Sequence, residues 1–143
     1  MTAILPDHIG WQLWQASRKW TETFVSRLQV SGYPEITFAL ANVLGNLDRR
    51  AGVRQTLIAE RCGLTKQAVG QFLANLENAE LVERISDPED GRAQLVRYTT
   101  RGEKFLEIAD RIKKEIESEY AEVIGQRNMT LLKQMTAQLA ARG

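Results

Sequence analysis

The chain has 143 residues, 43% of them hydrophobic and 26% charged, with a formal net charge of +1, which bounds it to one globular domain. Cys62 stands alone, which excludes an intramolecular disulfide framework, and no apolar run approaches the roughly 20 residues of a membrane span. So even a charge balance carries no general signal for nucleic acid, and any such role must rest on where the charges sit.

Met1–Gly10 lacks a basic stretch followed by an apolar one, so no leader is expected, and a cytoplasmic location is the plain reading. Pro6 and Asp7 open a helical segment running to about Leu28, with Ile9, Leu13, Trp20, Phe24 and Leu28 on one stripe. Trp11, Trp14 and Val25 broaden that stripe beyond what so small a chain easily covers. Gly32-Tyr33-Pro34 stops it. A second helix is predicted from about Ile36 to Leu47, carrying Phe38, Leu40, Val43 and Leu44, and Asp48–Gly52 ends it. Two shorter helices follow, about Gln55–Cys62 and Lys66–Asn78, divided by Gly63-Leu64-Thr65.

From Leu81 the pattern turns β-prone. Leu81–Ile85 and Gln94–Tyr98 flank the charged turn Asp87–Arg92, which reads as a hairpin with a long tip. Thr99-Thr100-Arg101-Gly102 then leads into a helix reaching about Ile124, striped by Phe105, Ile108, Ile112, Ile116 and Tyr120. A last helix carries Met129, Leu132, Met135 and Leu139. The fold class is mainly α with a small β-hairpin (α+β).

The segment Gln55–Asn75 meets the steric demands of a helix-turn-helix. Ile58 and Cys62 share the inner face of the first helix, and Ala59 is small where the second must pass close. Gly63 supplies the turn, Leu64 plugs it, and Thr65 is placed to cap the next helix. Val69, Phe72, Leu73 and Leu76 face inward, leaving Lys66, Gln67, Gly70, Gln71, Ala74 and Asn75 on the other face. That face suits a major groove: Gln67, Gln71 and Asn75 for base edges, Lys66 for phosphate. Gly70 costs roughly 1 kcal/mol of helix stability relative to alanine, and close approach to DNA is one reason to keep it.

The run Leu76–Arg84, then Asp87–Ala93, then Thr99–Gly102 resembles the MarR family of bacterial regulators. The shared pattern is a Leu-Glu helix end, a Leu-Val-x-Arg strand, an Asp-x-Arg-Ala wing and a Thr-x-x-Gly helix start. The resemblance implies a winged helix-turn-helix over 36–102, between dimerisation helices at 8–30 and 103–143. It implies a sequence-specific transcription regulator, in the family's commoner repressor mode, bound to double-stranded DNA as a homodimer on a pseudo-palindromic operator. Thr65, Lys66, Gln67, Gly70, Gln71, Asn75, Asp90 and Arg92 are then the DNA-binding residues, with Arg92 in the minor groove and oriented by Asp90. Three departures stand out: Glu80 in place of a usual Gly, Tyr98 in place of a usual Leu, and Gly70-Gln71 where small hydroxyl and basic residues are typical. The last bears on base specificity rather than on fold.

The resemblance also implies a crevice for a small aromatic ligand, near Trp11, Trp14, Trp20 and Tyr33. The same rings suit a dimer core. Cys62 reads as a packed inner-face thiol and His8 is the single histidine, so neither a redox switch, a metal site nor a cofactor is expected. Arg84, Arg97 and Arg101 are further candidates for phosphate contact. No nucleophile motif, phosphate-cradling loop or acid–base constellation points to an enzyme. The competing reading is a winged-helix protein-interaction or architectural module with little preference for DNA sequence.

Overall fold

The computed structural model describes residues 4, 6–49 and 51–143. Met1–Ala3 and Leu5, within the stretch read for a leader, and Arg50, within the predicted Asp48–Gly52 break, lie outside the described residues. The elements in chain order are α1 (Ile9–Val30), α2 (Phe38–Gly45), β1 (Val53–Arg54), α3 (Gln55–Cys62), α4 (Lys66–Asn78), β2 (Val82–Ser86), β3 (Gln94–Tyr98), α5 (Thr100–Ile124) and α6 (Gln126–Ala140). This is the predicted architecture, with two differences.

The first is α2, which is shorter at both ends than the Ile36–Leu47 pattern suggests. The Thr37 hydroxyl accepts from the Leu40 amide at 3.3 Å and so sets the start. At the other end the Asn46 amide turns back to the Val43 carbonyl at 3.1 Å, closing the last turn tightly. The second is β1, two residues too short to show a period, which pairs Val53 with Val96 and Arg54 with Leu95. It joins the hairpin to make an antiparallel sheet of order β1-β3-β2, in which Val82 faces Tyr98 and Arg84 faces Val96.

One core runs through the chain. Leu28, Ile36, Val43, Leu44, Ile58, Val69, Leu73, Leu76, Leu81, Ile112 and Ile116 are all buried, drawn from α1, α2, α3, α4, α5 and the loops between them. Burial at this level contributes about 1.5–3 kcal/mol for each large apolar side chain. Thr99 caps α5 by accepting from the Gly102 amide at 3.0 Å. Gly102 itself is dictated by contact, since a Cβ there would stand 2.1 Å from the Leu81 carbonyl oxygen. That carbonyl also accepts from the Thr99 amide at 3.1 Å, so the start of α5 is seated on the turn between α4 and β2.

The long terminal helices are only half used. Phe24 and Leu28 of α1 are buried, whereas Ile9 is 64% and Trp14 52% exposed toward its start. In α6 Met129 is buried, while Leu131, Leu132, Met135 and Leu139 stay exposed. Among the described residues no helix is long and apolar enough to cross a membrane.

Candidate nucleic-acid interface

The helix-turn-helix is built as its sequence demands. Gly63 ends α3 at φ 66°, in the left-handed region that favours glycine. The Leu64 amide then returns to the Ala59 carbonyl at 3.0 Å. Thr65 starts α4, its hydroxyl accepting from the Ala68 amide at 3.1 Å. Ile58, Ala59, Val69, Leu73 and Leu76 are buried, and Phe72 and Cys62 half-buried. Leu64 plugs the turn less completely than expected, remaining 37% exposed. Burial raises the Cys62 thiol above its ordinary range, which disfavours the reactive thiolate.

The outer face of α4 presents Lys66, Gln67, Gln71, Ala74 and Asn75, all exposed, with Thr65 at its start. Among the described residues the side chains of Lys66, Gln67, Gln71 and Asn75 make no hydrogen bond within the chain, so their polar groups face solvent unspent. Gly70 does not share that openness. It is half-buried, and a Cβ at this position would stand 2.9 Å from Gln55 Nε2. A glycine here leaves room for the Gln55 amide of α3.

The hairpin tip is organised by two aspartates. Asp90 accepts from the Arg92 amide at 3.1 Å and from Arg92 Nε at 3.3 Å, so the structure brings the predicted pair together. Arg92 is 95% exposed along its side chain and points out from the tip. Asp87, the first residue of the charged turn, is buried at the base of the tip. Its Oδ1 accepts from the Glu89 amide at 2.9 Å, and its Oδ2 from Arg54 Nη2 at 2.6 Å. The Glu89 amide first, and Arg54 second, hold the Asp87 carboxyl below the usual carboxylate range.

A groove between the start of α3, the start of α4 and the wing is lined by Arg54, Gln55, Lys66, Arg84, Arg92 and Gln94. Arg54 and Gln55, adjacent in the chain, were not legible as parts of one site with Arg84, which lies 29 residues beyond Gln55. Of the further arginines considered for phosphate, Arg84 donates to Glu77 at 2.7 Å and to Gln55 at 2.9 Å. Arg97 donates to Glu83 at 2.7 Å. Arg101 donates to the Ala79 carbonyl and to Glu35, and lies over the Tyr33 ring. These three brace the lobe. A wider open groove, of about 660 Å³, runs past Arg49, Glu77, Glu83, Arg97 and Arg101, whose charges pair within the chain, and past the carboxylates of Glu80 and Glu103.

The four residues assigned to a ligand crevice do not converge. Trp11 and Trp14 stack on each other, 5.2 Å between centroids, near the start of α1. Tyr33 is buried edge-on against Phe105 at 5.0 Å. Trp20 alone lines a cavity, of about 210 Å³, together with Phe24, Phe38, Asn42, Phe105 and Lys113. Phe38 and Lys113 carried no signal in the sequence that distinguished them from core and surface residues. Among the described residues no cluster of His, Cys, Asp and Glu is placed to hold a metal ion.

The family model that matches this chain is that of the MarR family, over residues 36–93, the stretch from the start of the lobe through the wing tip. Over that stretch the chain is similar to the MarR family. The transcriptional regulator HosA of Escherichia coli O111:H- is 32% identical over 87 residues. That match covers 61% of this chain and 64% of HosA, so the chain spans just under two thirds of the length of the curated relatives it matches. Solved structures extend the likeness to the whole fold. The repressor CouR, bound to a 23-mer DNA duplex, is 26% identical with a TM-score of 0.79, covering 96% of this chain and 99% of CouR. NadR in complex with 4-hydroxyphenylacetate is 25% identical with a TM-score of 0.72, covering 100% of this chain and 99% of NadR.

Proposed function

We propose that this chain is a MarR-family, sequence-specific transcription regulator that binds double-stranded DNA as a homodimer and represses from a pseudo-palindromic operator. One observation carries the reading. The unengaged polar face of α4 and the exposed Arg92 tip flank one groove lined by Arg54, Lys66 and Arg84. A helix presenting amides suits base edges in the major groove, and an arginine on a narrow tip suits the minor groove beside it. Lys66, which forms no ion pair among the described residues, supplies phosphate attraction that the net charge of +1 does not, while Arg54 and Arg84 hold the groove in shape through Asp87 and Glu77. Thr65, Lys66, Gln67, Gln71, Asn75, Asp90 and Arg92 are the proposed contacts. Gly70 serves the interface from behind.

The exposed apolar faces of α1 and α6 support a two-fold dimer built from residues 8–30 and 103–143. Such a dimer presents two α4 helices to successive major grooves, roughly 34–36 Å apart. The cavity beside Trp20 supports release by a small aromatic anion. Its aromatic walls accept one ring, Lys113 offers a cation, and its volume of about 210 Å³ restricts the ligand to a single substituted ring. The likeness to NadR with its aromatic acid adds to that reading.

Fluorescence anisotropy with DNA from upstream of the chain's own coding sequence, against scrambled DNA, tests the proposal with wild type and Arg92→Ala. Preference for the upstream DNA by about a thousandfold, weakened in the variant, supports a regulator. Equal weak binding to both DNAs, unchanged by the substitution, would point to the interaction or architectural module instead.

A further inference from the structure

Gln55, at the start of α3, touches more of the lobe than its position suggests. Its Nε2 donates to the Lys66 carbonyl in the first turn of α4 at 3.1 Å. Its Oε1 accepts from Arg84 Nη1 in β2 at 2.9 Å, and Arg84 Nε donates to Glu77, in the last turns of α4, at 2.7 Å. Both ends of α4 are thus tied through one amide and one guanidinium to the strand that leads into the wing. The half-buried Gly70 lies under the Gln55 amide, where a Cβ would stand 2.9 Å from Nε2 and 4.0 Å from Cδ. Apart from the chain neighbours and the backbone of α4 itself, no other atom of the chain lies within 4 Å of that Cβ position among the described residues. The missing side chain leaves room for the Gln55 amide.

We infer that Gln55 and Gly70 together form a strut that sets the orientation of α4 relative to the wing, and so determine DNA selectivity without reading a base themselves. The inference rests on the DNA-binding reading for its consequence, but not for its geometry. A bidentate base contact tolerates little misplacement, so a small rotation of α4 forfeits contacts by Gln67, Gln71 and Asn75 while phosphate attraction survives. The two residues are positioning residues. Their loss should therefore lower selectivity far more than non-specific affinity.

Two variants test this from opposite sides. Gln55→Met keeps the length and removes both hydrogen bonds. Gly70→Ala improves helix propensity and displaces only the amide end of a flexible side chain, so its melting temperature should hold or rise. Each is expected to lose roughly tenfold or more in preference for operator over scrambled DNA, about the effect of one lost base contact. The double variant should lose no more than either single one, because both remove the same strut. Residual dipolar couplings of the α4 amides, measured against those of the sheet without DNA, should shift alike in both. Unchanged couplings, or a selectivity within about twofold of wild type in folded Gly70→Ala, would overturn the inference. Shifted couplings in both variants, with no selectivity in the wild type, would uphold the strut and overturn the DNA reading.

Discussion

The Arg54 guanidinium donates to Asp87 Oδ2 from both Nε and Nη2, at 3.0 and 2.6 Å, and so fastens the base of the wing to the strand that opens the helix-turn-helix. The two residues are 33 apart in the chain. Their pairing makes the wing tip an extension of the lobe rather than a free loop, because Asp87 also holds the Glu89 amide and its own amide donates to the Ala93 carbonyl at 3.0 Å. Arg92 is therefore carried on an anchored turn.

Asp87→Ala should release that turn. Operator affinity is expected to fall about tenfold, as for the loss of one specific contact, with little change in melting temperature because the core is untouched. Anisotropy and a thermal melt check the two halves. Acid should do the same reversibly. The Asp87 carboxyl titrates below its ordinary value of 3.8, so the anchor is complete above that value and is lost as pH falls through the lower folded one. The Glu89 amide resonance, followed by NMR from pH 7 downward, should stay in place until well into the acid range.

Tyr98, the departure from the family's usual leucine, has a structural use: its buried hydroxyl donates to the Leu44 carbonyl at the end of α2. Tyr98→Phe leaves that carbonyl unpaired and should cost about 1–3 kcal/mol, read by urea denaturation. Burial pushes the phenol up to about 12. A raised folded value means stability is complete below the unfolded value of 10.0 and declines as pH climbs from there toward 12. The variant should lack that alkaline decline.

Glu80 takes the opposite course. It keeps the left-handed backbone of the glycine it replaces, at φ 61°, and is the single non-glycine residue with positive φ among those described. Its carbonyl accepts from the Thr99 hydroxyl at 2.5 Å, and the Leu81 amide returns to Leu76 at 3.0 Å, which holds the strained cap in place. Glu80→Gly should therefore stabilise the chain by about 1 kcal/mol, with an unchanged denaturant slope. A loss of stability would show that the Glu80 side chain contributes more than its backbone costs.

The amino-acid order by itself determined the elements whose signals are local. Helical stripes and the Ala59, Gly63 and Thr65 pattern of the turn act over a few residues, and each was legible because periodicity, capping and turn chemistry are short-range, whereas the Asp90–Arg92 pair followed from the family resemblance. The polar face of α4 followed from the same periodicity, except at Gly70, where the facing residue comes from another helix. The tertiary structure decided everything that depends on which distant segments meet. It made Asp87 an anchor for Arg54, turned Arg84, Arg97 and Arg101 into braces, joined β1 to the hairpin, and brought Trp20 together with Phe38 and Lys113 while sending Tyr33 into the core. Ion pairs, two-residue strands and cavities have no period along a chain. Their partners are selected by how the packed core places the backbone, and the charge on a residue does not say which opposite charge it will find.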